Sequence, residues 1–294
     1  MDLSVIIVNY NTYEYTKNCI ESVLNADDDL NGERLEFEVI LVDNASKDGS
    51  IEWLEKEYND EPKVLIIKND ENLGFSAANN IGLQEAQGTY LLLLNSDTVI
   101  EPDALVKTIG FMDNHPECGA LGACVRLADG TLDHACKRSF PTPSSSLFHM
   151  LKLDKAFPGN RTFGAYDMTW VDEDATAEID CTTGAYMCVS REVYEKTGGL
   201  DEDYFMYGED IDWCYRIKQD GYKVVYYPEI RVTHFKKGSW TGKRNPKVLD
   251  AFYDSMQIFY DKHYLNKYSA ATSAMVRSGT KMLKSAAAFR NEHK

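Results

Sequence analysis

The chain has 294 residues, of which 44% are hydrophobic and 12% aromatic, with only 8 prolines; this is the composition of a packed globular protein and excludes wholesale disorder or a fibrous repeat. A formal net charge of -16 argues against nucleic acid as a general partner, because phosphate backbones are held by a surplus of Lys and Arg. The seven cysteines are scattered and odd in number, so neither a disulfide framework nor a zinc site is expected, and a reducing cytosol is the simpler home.

The opening run Leu3 to Val8 has no basic flank and is too short for a signal peptide, and no stretch approaches the roughly 18 apolar residues of a membrane span. The expectation is a cytoplasmic protein, soluble or peripheral on the inner face of the membrane. Buried strands are predicted over 3–9, 37–43, 63–69 and 90–95, with helices over 12–25, 50–58 and 75–86 between them. That alternation is the pattern of a parallel sheet with crossover helices. The second helix places Ile51, Leu54 and Tyr58 on one face, with Ser46 or Asp48 to cap it.

Each of these strands ends in a polar cluster: Asn9-Tyr10-Asn11, Asp43-Asn44-Ala45-Ser46, Asn69-Asp70 and Asn95-Ser96-Asp97. Ligands of an open parallel sheet bind beyond the carboxyl ends of the strands, so the clusters point to one cleft. Singly, each is as well read as turn formers and helix caps. After a helix predicted over 102–114 and a strand over 120–127, residues 138–174 show no clean period and read as a long excursion or lid. Regular structure resumes over 178–190, a helix opens near Gly208-Glu209-Asp210, and a strand follows over 222–227. Residues 247–264 carry Leu249, Phe252, Tyr253, Met256, Phe259 and Tyr260 at helical spacing.

Charge is unevenly spread. Residues 230–249 contain six bases and no acid, and residues 262–294 contain seven bases against one acid. Asn95-Ser96-Asp97 leaves a strand of four consecutive leucines, and Asn95 and Asp97 could together hold a hard divalent cation that in turn holds a diphosphate, or Asp97 could cap the next helix. Asp43 could accept the imide N–H of a pyrimidine, and Asn72-Leu73-Gly74-Phe75 offers a close, glycine-permitted approach to a ligand. Glu209, Asp210 and Asp212 suit a helix N-terminus by its dipole alone, while Asp210 reads more sharply as a general base. His234 reads as structural or as part of a phosphate site beside the basic segment. Neither a Walker loop nor a glycine-rich loop after the first strand is present.

The ordered set Val5-Ile6-Ile7-Val8-Asn9-Tyr10-Asn11, Leu41-Val42-Asp43-Asn44-Ala45-Ser46, Asn72-Leu73-Gly74-Phe75, Asn95-Ser96-Asp97, Thr183-Gly184-Ala185, Gly208-Glu209-Asp210 and Val232-Thr233-His234 resembles the family-2 inverting glycosyltransferases of GT-A fold, in their rhamnosyltransferase branch. The resemblance implies an α/β fold with a Rossmann-like, mostly parallel sheet flanked by helices and followed by a C-terminal helical extension. It implies a transferase domain over 1–246, with a nucleotide-binding half over 1–115 and an acceptor and catalytic half over 116–246, and a basic helical extension over 247–294.

In that family Asp43 would hold the base, Asn95 and Asp97 would stand at the D-x-D metal motif, His234 would be a further ligand of Mn2+ or Mg2+, and Asp210 would be the catalytic base. Asn95 departs from the motif by replacing its first aspartate. Asn9, Asn11, Gly74, Asn79 and Ser96 are assigned with Asp43 to the nucleotide, Glu209 with Asp210 to catalysis, and Thr183, Gly184, Trp213, Lys237 and Trp240 to the donor and acceptor pocket. The implied partners are a dTDP- or UDP-linked sugar donor and a glycan or polyprenyl-diphosphate-linked acceptor, with no nucleic acid. For the basic tail, peripheral membrane contact and homodimerisation through the C-terminal helices both remain open. The rival readings are a sugar-phosphate nucleotidyltransferase, which the missing glycine-rich loop disfavours, and a non-catalytic sugar-nucleotide-binding module.

Overall fold

The computed structural model describes residues 1–157, 159–236 and 245–293. Its first half is a parallel array: β1 (Leu3–Asn9) lies between β4 (Phe37–Asp43) and β6 (Tyr90–Asn95), and β5 (Val64–Lys68) flanks β4. A hairpin of β2 (Asp29–Leu30) and β3 (Glu33–Arg34) lies on the way to β4. The crossovers are α1 (Tyr13–Leu24), α2 (Ser50–Tyr58) and α3 (Phe75–Glu85). With helices covering both faces, the central strands are apolar almost throughout, and Val5, Ile6, Ile7, Val39, Ile40, Leu41, Leu91 and Leu92 are wholly buried. Asp48 accepts the Ser50 amide at 3.0 Å at the start of α2, whereas Ser46 turns to Asn9 and Asn11.

Beyond β6 the sheet becomes mixed. After β7 (Thr98–Ile100) and α4 (Ala104–Asn114) come β8 (Cys118–Leu127), a 3-10 turn at His134–Cys136, α5 (Pro143–Met150) and α6 (Leu153–Ala156). Then follow β9 (Ala177–Ile179), β10 (Tyr186–Ser190), α7 (Arg191–Thr197), α8 (Glu209–Gln219), β11 (Lys223–His234), α9 (Pro246–His263) and α10 (Ala270–Glu292). The sheet order is β5-β4-β1-β6-β10-β8-β11-β7, with β9 on β11.

Two differences from the sequence reading matter to the site. The strand expected over 222–227 runs on to His234, because Pro228, which has no N–H for a ladder, sits in a register shift between Tyr227 and Arg231. Past that shift β11 pairs with β7 as well as β8, which sets His234 opposite Thr98. The regular stretch expected over 178–190 is two strands, parted at Thr182–Thr183–Gly184 where the chain leaves the ladder to meet α8. The excursion over 138–174 holds the two short helices α5 and α6, the first capped by Thr142, whose hydroxyl accepts the Ser145 amide at 3.2 Å.

The helix α9 belongs to the core: Leu249, Phe259 and Tyr260 are buried, and Phe259 meets Tyr215 of α8 edge-on at 5.7 Å. The last helix, α10, lies along α9 through Tyr260 and Ser273 at 3.0 Å and the ion pairs Arg277–Asp261 and Lys284–Asp254, both at 2.8 Å.

One close approach fixes the loop that enters α3. Gly74 has φ 93°, and a Cβ there would fall 2.5 Å from the Phe205 carbonyl oxygen, which accepts the Phe75 amide at 2.7 Å. Gly74→Ala should therefore lower unfolding free energy by roughly 1–3 kcal/mol in urea titration; a change below about 0.5 kcal/mol would show that the loop is not clamped there.

Candidate active site

At the carboxyl ends of β1 and β4, Asn9 and Asp43 are partners in register. The Asn9 amide donates to Asp43 Oδ1 at 2.6 Å and to Ser46 and Ser50 at 3.0 Å, and its oxygen accepts from Thr12 at 2.9 Å and Thr16 at 2.7 Å. Asn9 is thus spent on protein partners, and what it does for a ligand it does by orienting Asp43. The second Asp43 oxygen accepts the Ser46 amide at 3.0 Å. A carboxylate has about four acceptor positions, so Asp43 keeps some for a base.

Asn11 holds a left-handed φ of 56° and accepts the Lys47 amide at 2.7 Å, closing the floor beneath Asp43. Asn44 ties the strand end to the Gly74 loop, accepting from Asn69 and the Leu73 amide and donating to Asn72 and the Gly74 carbonyl. Asn79 is buried and donates to the Phe75 carbonyl at 2.9 Å, and Ser96 meets Thr12 at 3.3 Å.

Across the sheet, Asp97 faces His234 rather than capping the next helix. His234 Nε2 is 3.0 Å from Asp97 Oδ1, and its Nδ1 is 3.4 Å from Asp133 Oδ2. Burial disfavours the imidazolium, but the hydrogen bonds and charges of Asp133 and Asp97 outweigh it and hold the ring at about 8. Burial likewise opposes the charge of Asp133, yet His234 and Lys236 keep its carboxyl well below the usual range.

Asn95 Oδ1 is buried and has no hydrogen-bond partner among the described residues, an orphan acceptor of the kind that costs about 1–3 kcal/mol unless something satisfies it. By donor type, an amide oxygen, a carboxylate and an imidazole that gives up its proton on binding suit manganese, and magnesium with less preference for the imidazole.

A second polar centre opens α8. Tyr207 and Gly208 both take positive φ, 71° and 85°, which turns the chain so that Glu209 and Asp210 start the helix with their side chains buried. Asp210 Oδ2 accepts from Arg138 at 3.0 Å and from the Gly184 amide at 3.3 Å, and Oδ1 accepts the Ile211 amide at 2.8 Å. Of about four acceptor positions, that leaves room for one more donor. Burial and the adjacent Asp210 charge push Glu209 well above the usual carboxylate range. The two centres are linked through the backbone: the main-chain N–H of Asn95 donates to the Ala185 carbonyl, next in chain to Gly184.

Asp133 and Arg138 escaped the sequence reading. Neither lies in a motif, and the partner that brings each to the site, Asp210 for Arg138 and His234 for Asp133, is more than seventy residues away. Thr183 is buried and accepts the Ala185 amide at the edge of this centre. Trp213 is elsewhere: it is wholly buried in the core, with its indole N–H on Thr197 at 3.0 Å, and cannot line an open pocket. Lys237 and Trp240 lie outside the described residues.

A family model described as Glycosyl transferase family 2 matches residues 4–179, and one described as N-terminal domain of galactosyltransferase matches residues 174–238. The chain is 30% identical over 237 residues to the N-acetylglucosaminyl-diphospho-decaprenol L-rhamnosyltransferase of Mycobacterium tuberculosis, covering 76% of this chain and 75% of that one. It is 26% identical to rhamnosyltransferase WbbL of Escherichia coli strain K12, across 79% of this chain and 82% of that one. Among solved structures, GalNAc-T7 with UDP, GalNAc and Mn2+ superposes with a TM-score of 0.63 at 17% identity, over 89% of this chain and 48% of that one. The chain thus spans about half of that structure, and the likeness bears on the fold alone, which is GT-A as expected.

The raised His234 carries a sign that can be tested. A group at about 8 when folded and about 6.5 when unfolded contributes stability that is fully present below pH ~6.5 and is lost as pH rises through about 8, a difference of about 2 kcal/mol. In metal-free protein, unfolding free energy should fall across that window, and His234→Gln should flatten it. An unchanged slope in the variant would show that another group titrates there.

Proposed function

The chain belongs to glycosyl transferase family 2, and from that premise we propose that it moves a sugar, with inversion, from a nucleoside-diphosphate donor to a hydroxyl of a glycan or polyprenyl-diphosphate-linked acceptor in surface polysaccharide synthesis. The observation that carries this is the adjacency of the two centres through Asn95 and Ala185. It supports a reading in which charge compensation for a diphosphate and a buried carboxylate with one acceptor position left serve one reaction. The family assignment removes the ground for the nucleotidyltransferase and the non-catalytic module.

In this reading Asp43, held by Asn9 and Ser46, accepts the imide N–H of the pyrimidine. Asn95, Asp97 and His234 hold a divalent ion, which when bound offsets the charge developing on the leaving diphosphate. Arg138 and the Gly184 amide fix Asp210, whose remaining lone pair takes the proton of the acceptor hydroxyl. The acceptor oxygen forms its bond to the anomeric carbon from the face opposite the diphosphate. The bond to the diphosphate breaks, its electron pair leaves with the phosphate, and the configuration inverts.

The two relatives' names point to rhamnose as the sugar moved, and the family resemblance puts dTDP-rhamnose first and a UDP-hexose second as donor. Asp210→Asn should lower transfer by about 10²-fold or more while leaving donor affinity nearly intact, and Asp97→Ala should abolish the manganese dependence of nucleoside-diphosphate binding. Transfer assays with a panel of nucleotide sugars and calorimetry with and without manganese check both. Near-normal turnover in Asp210→Asn, or ion-independent binding by the unaltered chain, would overturn the roles.

The basic tail is proposed to rest on an anionic membrane. No helix among the described residues is long and apolar enough to cross one, but α10 exposes Met275, Met282 and Phe289 at 74, 68 and 62%. Their seven-residue spacing keeps them on one side, with Lys281 and Arg290 on the same helix, while Arg277 and Lys284 are paired to Asp261 and Asp254 of α9. Each base near such a surface is worth about 1 kcal/mol, enough in sum for reversible attachment. Co-sedimentation with anionic liposomes should be salt-sensitive and lost on truncation after Tyr264. No binding at low salt, or a dimer that dissociates on the same truncation, would assign the face to a second copy.

A further inference from the structure

Outside the strand-end cleft, the excursion between β8 and β9 gathers a cluster of its own. His149 lies in the last turn of α5, Asp154 in α6, and Asp167 in the turn that follows them. His149 Nδ1 is 2.9 Å from Asp154 Oδ2 and 3.5 Å from Asp167 Oδ2, and one ligand atom from each residue falls within 4.8 Å of the other two. Tetrahedral zinc, with bonds of roughly 2.0–2.2 Å, sets its ligands about 3.4 Å apart. His149 already stands near that spacing from both carboxylates, which themselves lie within 4.8 Å of each other.

A second observation points the same way. Asp154 is only 2% exposed, and its Oδ1 has no hydrogen-bond partner among the described residues. Asp167 is also buried, and among the described residues both carboxylates share a single ion-pair partner, His149. Two buried carboxylates on one imidazole leave a deficit of positive charge, which makes the cluster costly as it stands.

We propose that His149, Asp154 and Asp167 form a zinc site that pins the excursion to itself. The imidazole selects against magnesium and calcium, which prefer oxygen throughout, and three protein ligands leave the fourth position to water on the solvent side, where His149 is partly open. None of these residues belongs to the donor site.

The clamp also reaches the catalytic side. The His149 ring packs against Tyr166, with centroids 5.0 Å apart; the Tyr166 carbonyl accepts the amide of Ser139 at 2.9 Å, next in chain to Arg138, which holds Asp210. Fixing His149 therefore limits the freedom of Tyr166 and, through it, of the guanidinium on the proposed base. These are positioning residues, since none touches substrate.

The test is zinc binding by the full chain carrying Asp97→Ala and His234→Ala, which removes the donor-side ligands. Calorimetry and metal analysis should give one equivalent of zinc, with magnesium unable to replace it. Adding His149→Gln should lower the affinity at least tenfold, and Asp167→Asn should do the same. His149 has a side chain 42% exposed, so its replacement leaves the core intact. In the otherwise unaltered chain, zinc should slow limited proteolysis within 138–174, and His149→Gln should remove that protection. No zinc bound by the double variant, equal affinity after His149→Gln, or equal binding of magnesium would overturn the assignment. None of these readouts depends on transfer activity, so their failure leaves the proposed reaction untouched.

Discussion

A carboxylate stays charged inside a protein only if donors are brought to it, and the arrangement around Asp210 follows from that requirement. Its two oxygens draw a guanidinium from the excursion, an amide from the segment between β9 and β10, and an amide from its own helix. Three stretches of chain far apart in sequence therefore converge on one side chain. Arg138 also donates to the Thr182 and Ala135 carbonyls, so the same guanidinium that neutralises Asp210 fastens the excursion to the sheet.

The parallel half uses neutral donors for a similar purpose. Asn9 and Asn44 stand at the ends of β1 and β4, and both saturate their amides on protein groups. An amide can donate and accept at once, so each asparagine links several loops where an aspartate would only accept. Asp43, Asn11 and Gly74 are positioned by this mesh. Beside this parallel half, the mixed half has its charges balanced partner by partner: Asp97 and Asp133 on His234, Asp210 on Arg138, and Asp212 on Arg216 and His263.

That last pair explains why α9 is more than an appendage. His263 reaches Asp212 at 2.6 Å, Phe259 and Tyr264 pack around Tyr215, and Ser255 lies against the turn at Gly208. The helix therefore supports the bend that starts α8, and with it the placement of Glu209 and Asp210. By contrast α10 contributes little to the core, with Ser273 its one buried residue among those described.

Local physics made much of this legible from residues alone. Apolar runs of strand length, closed by Asn, Asp and Ser and separated by helical periods, allow few structures besides a parallel sheet with a polar edge, and the strands over 3–9, 37–43 and 90–95 begin and end where the pattern puts them. The resemblance then attached roles to Asp43, Asp97, Asp210 and His234. What the sequence could not hold is pairing. His234 stands beside Asp97 because a bulge at Pro228 lets β11 continue onto β7, and Arg138 becomes the counter-charge of Asp210 because it bridges Cys181, beside the segment whose Gly184 amide meets the same carboxylate. Trp213, by its chemistry suited to a sugar pocket, faces the core because its place on α8 turns it inward. Periodicity reports which residues share a face of one element; which elements share a neighbour is set by long-range packing, which no local window contains.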